Sequence, residues 1–341
     1  MPEIRQDPFT GEYVIVNDQR MARPITTGEA AKREPKECPF CPNSQKRHPG
    51  LPRHYRALAI TNLFSALQSP AEEVISHPSS LYTNRPAEGI CEVILYSSDH
   101  ELKFYNQPFD LSREIVDLWV YRYQSLGDHP DVRYVFIFEN RGEAVGVTIH
   151  HPHGQVYALP VIPPRVVDTL ERCSRYLREK GSCMLCDVTA VELRDQARVV
   201  AENELFVAFV PYFAKMLYEV QVVPKRHVQS IADLNDTEKD AFAHILREVR
   251  RKYDMLFQRT AAYMMMFFSA PTDGQDYSHH HFNVQFVSLE RDGVNAKYRA
   301  SVETGLLVWT NDLSPERAAA QLREATSNNH QGGWNATPMQ R

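Results

Sequence analysis

One order of features occurs twice along this chain of 341 residues, and it limits the possible folds more than any single segment does. In the first pass Cys38-x-x-Cys41 precedes a strand near Tyr55–Asn62 and a second strand, Glu92 to Tyr96, that runs out at Asp99-His100. A helix follows from about Ser112 to Gly127, with Ile115, Leu118, Trp119, Tyr123 and Leu126 at helical spacing. The strand Tyr134–Phe138 then leads to His151-Pro152-His153-Gly154-Gln155. In the second pass Cys183-x-x-Cys186 precedes the strand Leu205–Val210, and Glu219 to Val223 runs out at Arg226-His227. A helix from about Thr237 carries Phe242, Ile245, Leu246, Val249 and Tyr253 on one stripe, before the strand Ala262–Phe268 and His281-Phe282-Asn283-Val284-Gln285. His100 and His151 stand 51 positions apart, and His227 and His281 stand 54. A shared order with shared intervals predicts an internal duplication. The fold class is therefore α+β, with two tandem units, each an antiparallel sheet with packed helices.

The boundary falls where Pro163-Pro164 opens a charged helix that ends at Lys180-Gly181, giving units 1–165 and 166–326. The tail 327–341, rich in Asn, Gln and Gly, is expected to be disordered. A net charge of −5 argues against a nucleic-acid surface, and the longest apolar runs, such as Ala261 to Phe268, are too short to span a bilayer. The polar start Met1-Pro2-Glu3-Ile4-Arg5 is unlike a secretory signal. Four of the six cysteines lie in the two Cys-x-x-Cys pairs, which in a reduced compartment suggests metal binding before disulfides, so a cytoplasmic protein is expected.

Read as a strand, residues 151–155 put His151, His153 and Gln155 on one face, because side chains alternate with period two. Gly154 between them would let a ligand approach the backbone closely. Cys38, Cys41, His100 and His151 form a Cys2His2 set, whose soft and borderline donors suit tetrahedral zinc. Four protein ligands leave no position for water, so the role of such an ion is structural. Cys183, Cys186, His227 and His281 repeat the set, with His279 as the alternative fourth ligand, giving two zinc ions per chain. With His151 committed to metal, His153 is free to act as a nucleophile through one bare ring nitrogen. Gln155 can donate a hydrogen bond to a phosphoryl oxygen but cannot shuttle a proton. That combination favours group transfer to a sugar phosphate over hydrolysis.

The run His151-Pro152-His153-Gly154-Gln155 resembles the active-site motif of galactose-1-phosphate uridylyltransferases, a branch of the histidine-triad superfamily. Further similarities are Asp7-Pro-Phe-Thr-Gly-Glu-Tyr-Val-Ile-Val, Arg20-x-x-Arg23-Pro24, Cys38-Pro-Phe-Cys41, Asp99-His100 and Phe138-Glu139-Asn140, with looser matches at Lys297, Glu303-Thr304-Gly305 and Asn311-Asp312-Leu313. The resemblance implies that both units are histidine-triad-like. It also implies ping-pong transfer of a uridylyl group between UDP-glucose and galactose 1-phosphate through His153. By the same resemblance Arg20, Arg23 and Lys297 would hold sugar phosphate and Glu303 hexose hydroxyls, while Asn62, Phe64, Asn140 and Thr148 would line the nucleotide site. The active site would be completed across a homodimer interface.

Two positions depart from that pattern. Leu63 stands where some members carry an Asp after the matching asparagine, and the second metal set uses a Cys-x-x-Cys where one branch uses Glu and His. The second pattern also resembles ADP-glucose phosphorylase relatives, so an adenylyl-transferring enzyme of the same fold is the nearest rival. A zinc-stabilised binding protein without catalysis is the rival from another class.

Overall fold

The computed structural model describes residues 2–18, 20, 35–291 and 295–325. Arg23 and the tail 327–341 therefore lie outside the described residues. In chain order the first half contains β1 (Glu3–Gln6), β2 (Tyr13–Val16), β3 (Leu58–Thr61), β4 (Thr83–Pro86), β5 (Ile90–Leu95), α1 (Phe109–Gly127), β6 (Tyr134–Arg141) and β7 (His153–Leu159). Helices α2 (Pro164–Lys180) and α3 (Met184–Asp195) lead into the second half. There follow β8 (Val199–Glu202), β9 (Phe206–Phe209), β10 (Val220–Pro224), α4 (Asp236–Phe257), β11 (Tyr263–Phe268), β12 (Asn283–Ser288), α5 (Ser301–Gly305) and α6 (Pro315–Glu324).

Nine of these strands form one sheet in the order β3-β5-β7-β6-β11-β12-β10-β9-β8, and the named pairings within it are antiparallel. The order reads as β3-β5-β7-β6 meeting its own mirror, β11-β12-β10-β9, with β8 added at the edge. The α+β class and the two like units expected from the sequence are present. What the sequence did not announce is that the two half-sheets fuse through β6 and β11, with Phe138 opposite Met266 and Arg141 opposite Tyr263. A separate three-stranded sheet, β2-β1-β4, buries Ile4 with Ala66, Leu67, Ala87 and Cys91.

Both long helices pack on one face of the large sheet. Leu111, Ile115, Trp119, Tyr123 and Leu126 of α1 join Phe242, Leu246, Val249 and Tyr253 of α4 in one continuous core with Val135, Ile137, Val156 and Phe267 of the strands. Asn235 caps α4 by accepting from the Glu238 amide, while Glu238 returns a bond to the Asn235 amide, which accounts for the helix start near the position the sequence indicates. Helix α2 begins at Pro164 and stops at a left-handed Gly181, as its composition predicts. The chain from β6 to β7 turns through Gly142 and Gly146, both at positive φ, and delivers His151 and His153 to the start of β7, an interior strand of the sheet.

Gly154 is needed for a reason other than the one read from the sequence. It is buried, and a Cβ placed on it would lie 2.4 Å from the Tyr96 hydroxyl oxygen and 3.2 Å from the Phe138 carbonyl. The missing side chain makes room for Tyr96 and not for a ligand. Gly154→Ala should therefore destabilise the chain by about 1–3 kcal/mol through overpacking. Thermal unfolding of Gly154→Ala against Gly154→Ala/Tyr96→Phe checks this: the double variant should recover part of the loss, and equal midpoints for the two would locate the strain elsewhere.

Candidate active site and metal clusters

Cys38, Cys41, His100 and His151 converge although they come from a loop, the end of β5 and the entry to β7. Their donor atoms lie within 4.8 Å of one another, as do those of Cys183, Cys186, His227 and His281. The Cys41 sulfur is 3.3 Å from His100 Nδ1 and 3.6 Å from His151 Nδ1, and the Cys186 sulfur is 3.5 Å from His227 Nδ1 and 3.3 Å from His281 Nδ1. A tetrahedral ion with Zn–S of about 2.3 Å and Zn–N of about 2.0 Å requires S···N edges of roughly 3.5 Å, so both donor sets fit such an ion. His281, not His279, completes the second set.

The histidine tautomers agree with that fit. His151 Nε2 lies 2.7 Å from the Ser97 carbonyl and His281 Nε2 lies 3.1 Å from the Pro224 carbonyl, so Nε2–H donates and Nδ1 faces the sulfurs bare. Burial and the paired thiol push Cys41 up to about 12 and Cys186 up to about 12, so neither ionises unless a cation lies among the donors. The two sets differ in their supports. Cys38 and Cys41 are buried in a turn, whereas Cys183 caps α3 and Cys186 sits in its first turn, both half-buried.

The first cluster reaches His153 through Phe40, the residue between its two cysteines. The Phe40 ring meets His151 at 6.0 Å and His153 at 5.2 Å, both edge to face. Tyr55 donates to the Phe40 carbonyl at 2.6 Å and lies 3.1 Å from His151 Nε2. His153 Nδ1 donates to the His151 carbonyl at 2.7 Å, which leaves Nε2 as the nitrogen with the lone pair. Gln155 follows on the same half-buried edge of β7, opposite Phe138 of β6, and its amide makes no hydrogen bond with another side chain among the described residues.

In the second half Asn283 stands where His153 does. Its amide donates to the His281 carbonyl at 3.1 Å, the contact that His153 makes with the His151 carbonyl, and its oxygen accepts from Gln221 and Gln285. An amide has no nucleophilic nitrogen, and this one is fully engaged. Of the two equivalent positions, only that of the first half carries an imidazole.

A cavity of about 570 Å³ opens beside His153, lined by Asn140, Arg141 and the 142–147 turn, by residues 100–105, and by Arg250, Arg259 and Tyr263 from the second half. Two family descriptions match the chain: galactose-1-phosphate uridyl transferase, N-terminal domain, over residues 1–163, and galactose-1-phosphate uridyl transferase, C-terminal domain, over residues 169–333. The chain belongs to this family. A galactose-1-phosphate uridylyltransferase of Thermotoga maritima is 38% identical over 95% of this chain and 98% of its own, and one of Haemophilus influenzae is 32% identical over 94% of each. Among solved structures, a uridylyltransferase superposes with a TM-score of 0.82 at 28% identity, covering 95% of this chain and 98% of that one. An ADP-glucose phosphorylase from Arabidopsis thaliana shares the fold, with a TM-score of 0.71 at 23% identity over 96% of this chain and 100% of that one.

The residues that the family resemblance points to are only partly brought together. Asn140 and His153 line the cavity, whereas Asn62, Phe64, Thr148, Gln155, Lys297 and Glu303 are not among its lining residues. The Asn62 side chain is turned to its own loop, accepting from the Phe64 amide at 2.9 Å, and Phe64 is exposed. Arg20 is half-buried in the turn after β2, its amide bonded to the Asn17 carbonyl. Lys297 and Glu303 meet each other through Thr310: the lysine ammonium contacts the Thr310 carbonyl and hydroxyl, and the Thr310 hydroxyl donates to the Glu303 carboxylate at 2.5 Å. That bond and the Ala300 amide hold Glu303 down to about 2, an ionised carboxylate at neutral pH. Tyr55 and Arg250 have no site role in the sequence reading, and Phe40 and Glu139 enter it only as members of matching motifs. The signal for Phe40 is its place inside the Cys-x-x-Cys pair, and that for Glu139 its place beside Asn140.

Burial pulls His151, His280 and His281 each down to about 4, against the backbone hydrogen bonds that each ring makes. In the unfolded chain a histidine titrates near about 6.5, so as pH falls from there toward 4 the unfolded state takes up protons that the folded state refuses. Stability is full above this window and is lost within it. In chelator-treated protein the urea midpoint at pH 5 should lie below that at pH 7.5, and a midpoint independent of pH would show that these rings are not buried neutral.

Proposed function

We propose that the chain transfers a uridylyl group between UDP-glucose and galactose 1-phosphate, through a covalent intermediate on His153. The observation that carries this is the hydrogen bond from His153 Nδ1 to the His151 carbonyl beside the cavity, in a chain 38% identical to a relative named for that reaction. His153 Nε2 attacks the α-phosphorus of UDP-glucose, an N–P bond forms, and the P–O bond to glucose 1-phosphate breaks with its electron pair. A phosphate oxygen of galactose 1-phosphate then attacks the same phosphorus and returns the pair to Nε2. Each leaving group departs as a stable anion or a neutral ring nitrogen, so no general acid is required. The Gln155 amide then suffices to steady the phosphoryl oxygens. Residues 1–165 form the catalytic unit in this proposal and 166–326 the supporting one.

Zinc is the ion proposed for both clusters, held by Cys38, Cys41, His100 and His151 and by Cys183, Cys186, His227 and His281. When bound it ties loop, strand end and β7 entry together, and the orientation of His153 depends on that tie through Phe40. A second copy of the chain is proposed to supply Lys297 and Glu303. The segment that bears them exposes Leu306, Leu307 and Val308, which suits a surface made to be covered. No helix among the described residues is long and apolar enough to cross a membrane, and a cytoplasmic setting is proposed because the described cysteines are thiols and not disulfides.

Incubation with UDP-glucose should add the mass of one uridylyl group and release glucose 1-phosphate before any acceptor is present, and initial-rate plots should be parallel. His153→Gly should abolish both with metal content unchanged, and Gln155→Ala should slow transfer by on the order of 10². An adduct from ADP-glucose and not from UDP-glucose would make the chain an adenylyl transferase. Intersecting plots with no adduct would remove the covalent role of His153.

Metal analysis should find two equivalents per chain, and Cys183→Ser should remove one and lower the unfolding midpoint. One equivalent, unchanged by Cys183→Ser, would sink the second site.

A further inference from the structure

Arg250 and Asp254 stand one turn apart on α4, in the half without a nucleophile, and both are buried, at 2% and 3% exposure. They reach across the junction to the two residues that flank Asn140. Arg250 pairs with Glu139 at 2.9 Å, and Arg141 forms a two-pronged pair with Asp254 at 2.9 and 2.8 Å. The charges are crossed, plus–minus on the helix against minus–plus on the strand. Tyr263 of β11 donates to Glu139 at 3.1 Å, and the ring of Phe104 lies 3.9 Å from the Arg250 guanidinium. Ala262 closes the grip, since a Cβ on Gly142 would lie 2.7 Å from the Ala262 Cβ.

The duplication provides an internal control. Aligning Ile115 and Trp119 of α1 with Phe242 and Leu246 of α4 places Tyr123 and Gly127 opposite Arg250 and Asp254. Aligning Tyr134 of β6 with Tyr263 of β11 places Phe268 and Ala270 opposite Glu139 and Arg141. At the nucleophile-free end of the junction these four positions therefore carry no charge, and the contact is one hydrogen bond from the Tyr123 hydroxyl to the Ala270 carbonyl. Buried ion pairs are poor stabilisers compared with apolar packing, so charge kept at one of two equivalent ends points to a requirement for geometry.

We propose that Arg250 and Asp254 are positioning residues for group transfer: by gripping Glu139 and Arg141 they fix Asn140 and the chain from it to His153. The inference rests on the transferase function proposed above. On this account the half that lost its nucleophile still sets the geometry of the half that kept it.

The test removes the Arg250–Glu139 pair as a unit, because deleting one partner strands a buried charge. Glu139→Gln/Arg250→Met should fold with full metal content, yet lose at least tenfold in kcat/KM for UDP-glucose, with faster hydrogen exchange at residues 140–150. Tyr123→Phe, at the uncharged end, should leave kcat/KM within twofold. If the double variant does not fold, Tyr263→Phe decides the matter, with a smaller fall in kcat/KM and the same faster exchange. A folded double variant, or Tyr263→Phe, with wild-type kcat/KM and wild-type exchange at 140–150 overturns the proposal. A wild-type chain that never forms an adduct overturns the transferase function instead, and this proposal with it.

Discussion

The pairing of β6 with β11 is the contact on which the rest of the molecule depends. It turns two half-sheets into one and sets α1 beside α4 over a shared core. It also places residues of both halves around the same cavity. Each half alone would end in a strand with a row of unpaired backbone groups, a surface that proteins cover or pair. Fusing the halves removes that edge and makes the interior of one unit structurally answerable to the other. The cavity wall illustrates this: Asn140 and His153 come from the first half, and Arg250, Arg259 and Tyr263 from the second.

Duplication followed by divergence explains why equivalent positions of the two halves carry different chemistry. Both halves keep the carbonyl that accepts from the histidine of the Cys2His2 cluster, Ser97 for His151 and Pro224 for His281. Both keep a side chain bonded to the carbonyl of that histidine, His153 in one and Asn283 in the other. The exchange of imidazole for amide retains the hydrogen bond and discards the lone pair. The donor arrangement and the backbone course survive in the second half, and the imidazole does not.

Much of this was legible in the sequence because it is periodic or local. The helical stripes of α1 and α4, the strand order, the caps at Pro164 and Gly181 and both Cys2His2 sets follow from spacing and side-chain chemistry. The parts that were not legible depend on contacts between distant segments. Nothing in Glu139 or Arg141 announces a partner more than a hundred positions away, and buried charges read as surface in a sequence. Gly154 reads in the sequence as room for a ligand, because the atom it avoids belongs to Tyr96, just past the end of the neighbouring strand β5. Lys297 and Glu303 match the family motif, and within a single chain they pair through Thr310 and are not among the residues that line the cavity, a relation that only the folded chain shows.

Strand β6 begins Tyr-Val-Phe-Ile-Phe, five residues with high strand preference and no charge, and it pairs with β7 on one side and β11 on the other. During synthesis the first half leaves the ribosome with that strand complete, while β11 is more than a hundred residues behind it. For that interval the segment that becomes the centre of the sheet is its open edge, and an uncharged aromatic strand is a template for pairing with other chains. The order in which the molecule is made thus exposes an uncharged aromatic stretch before its partner strand exists.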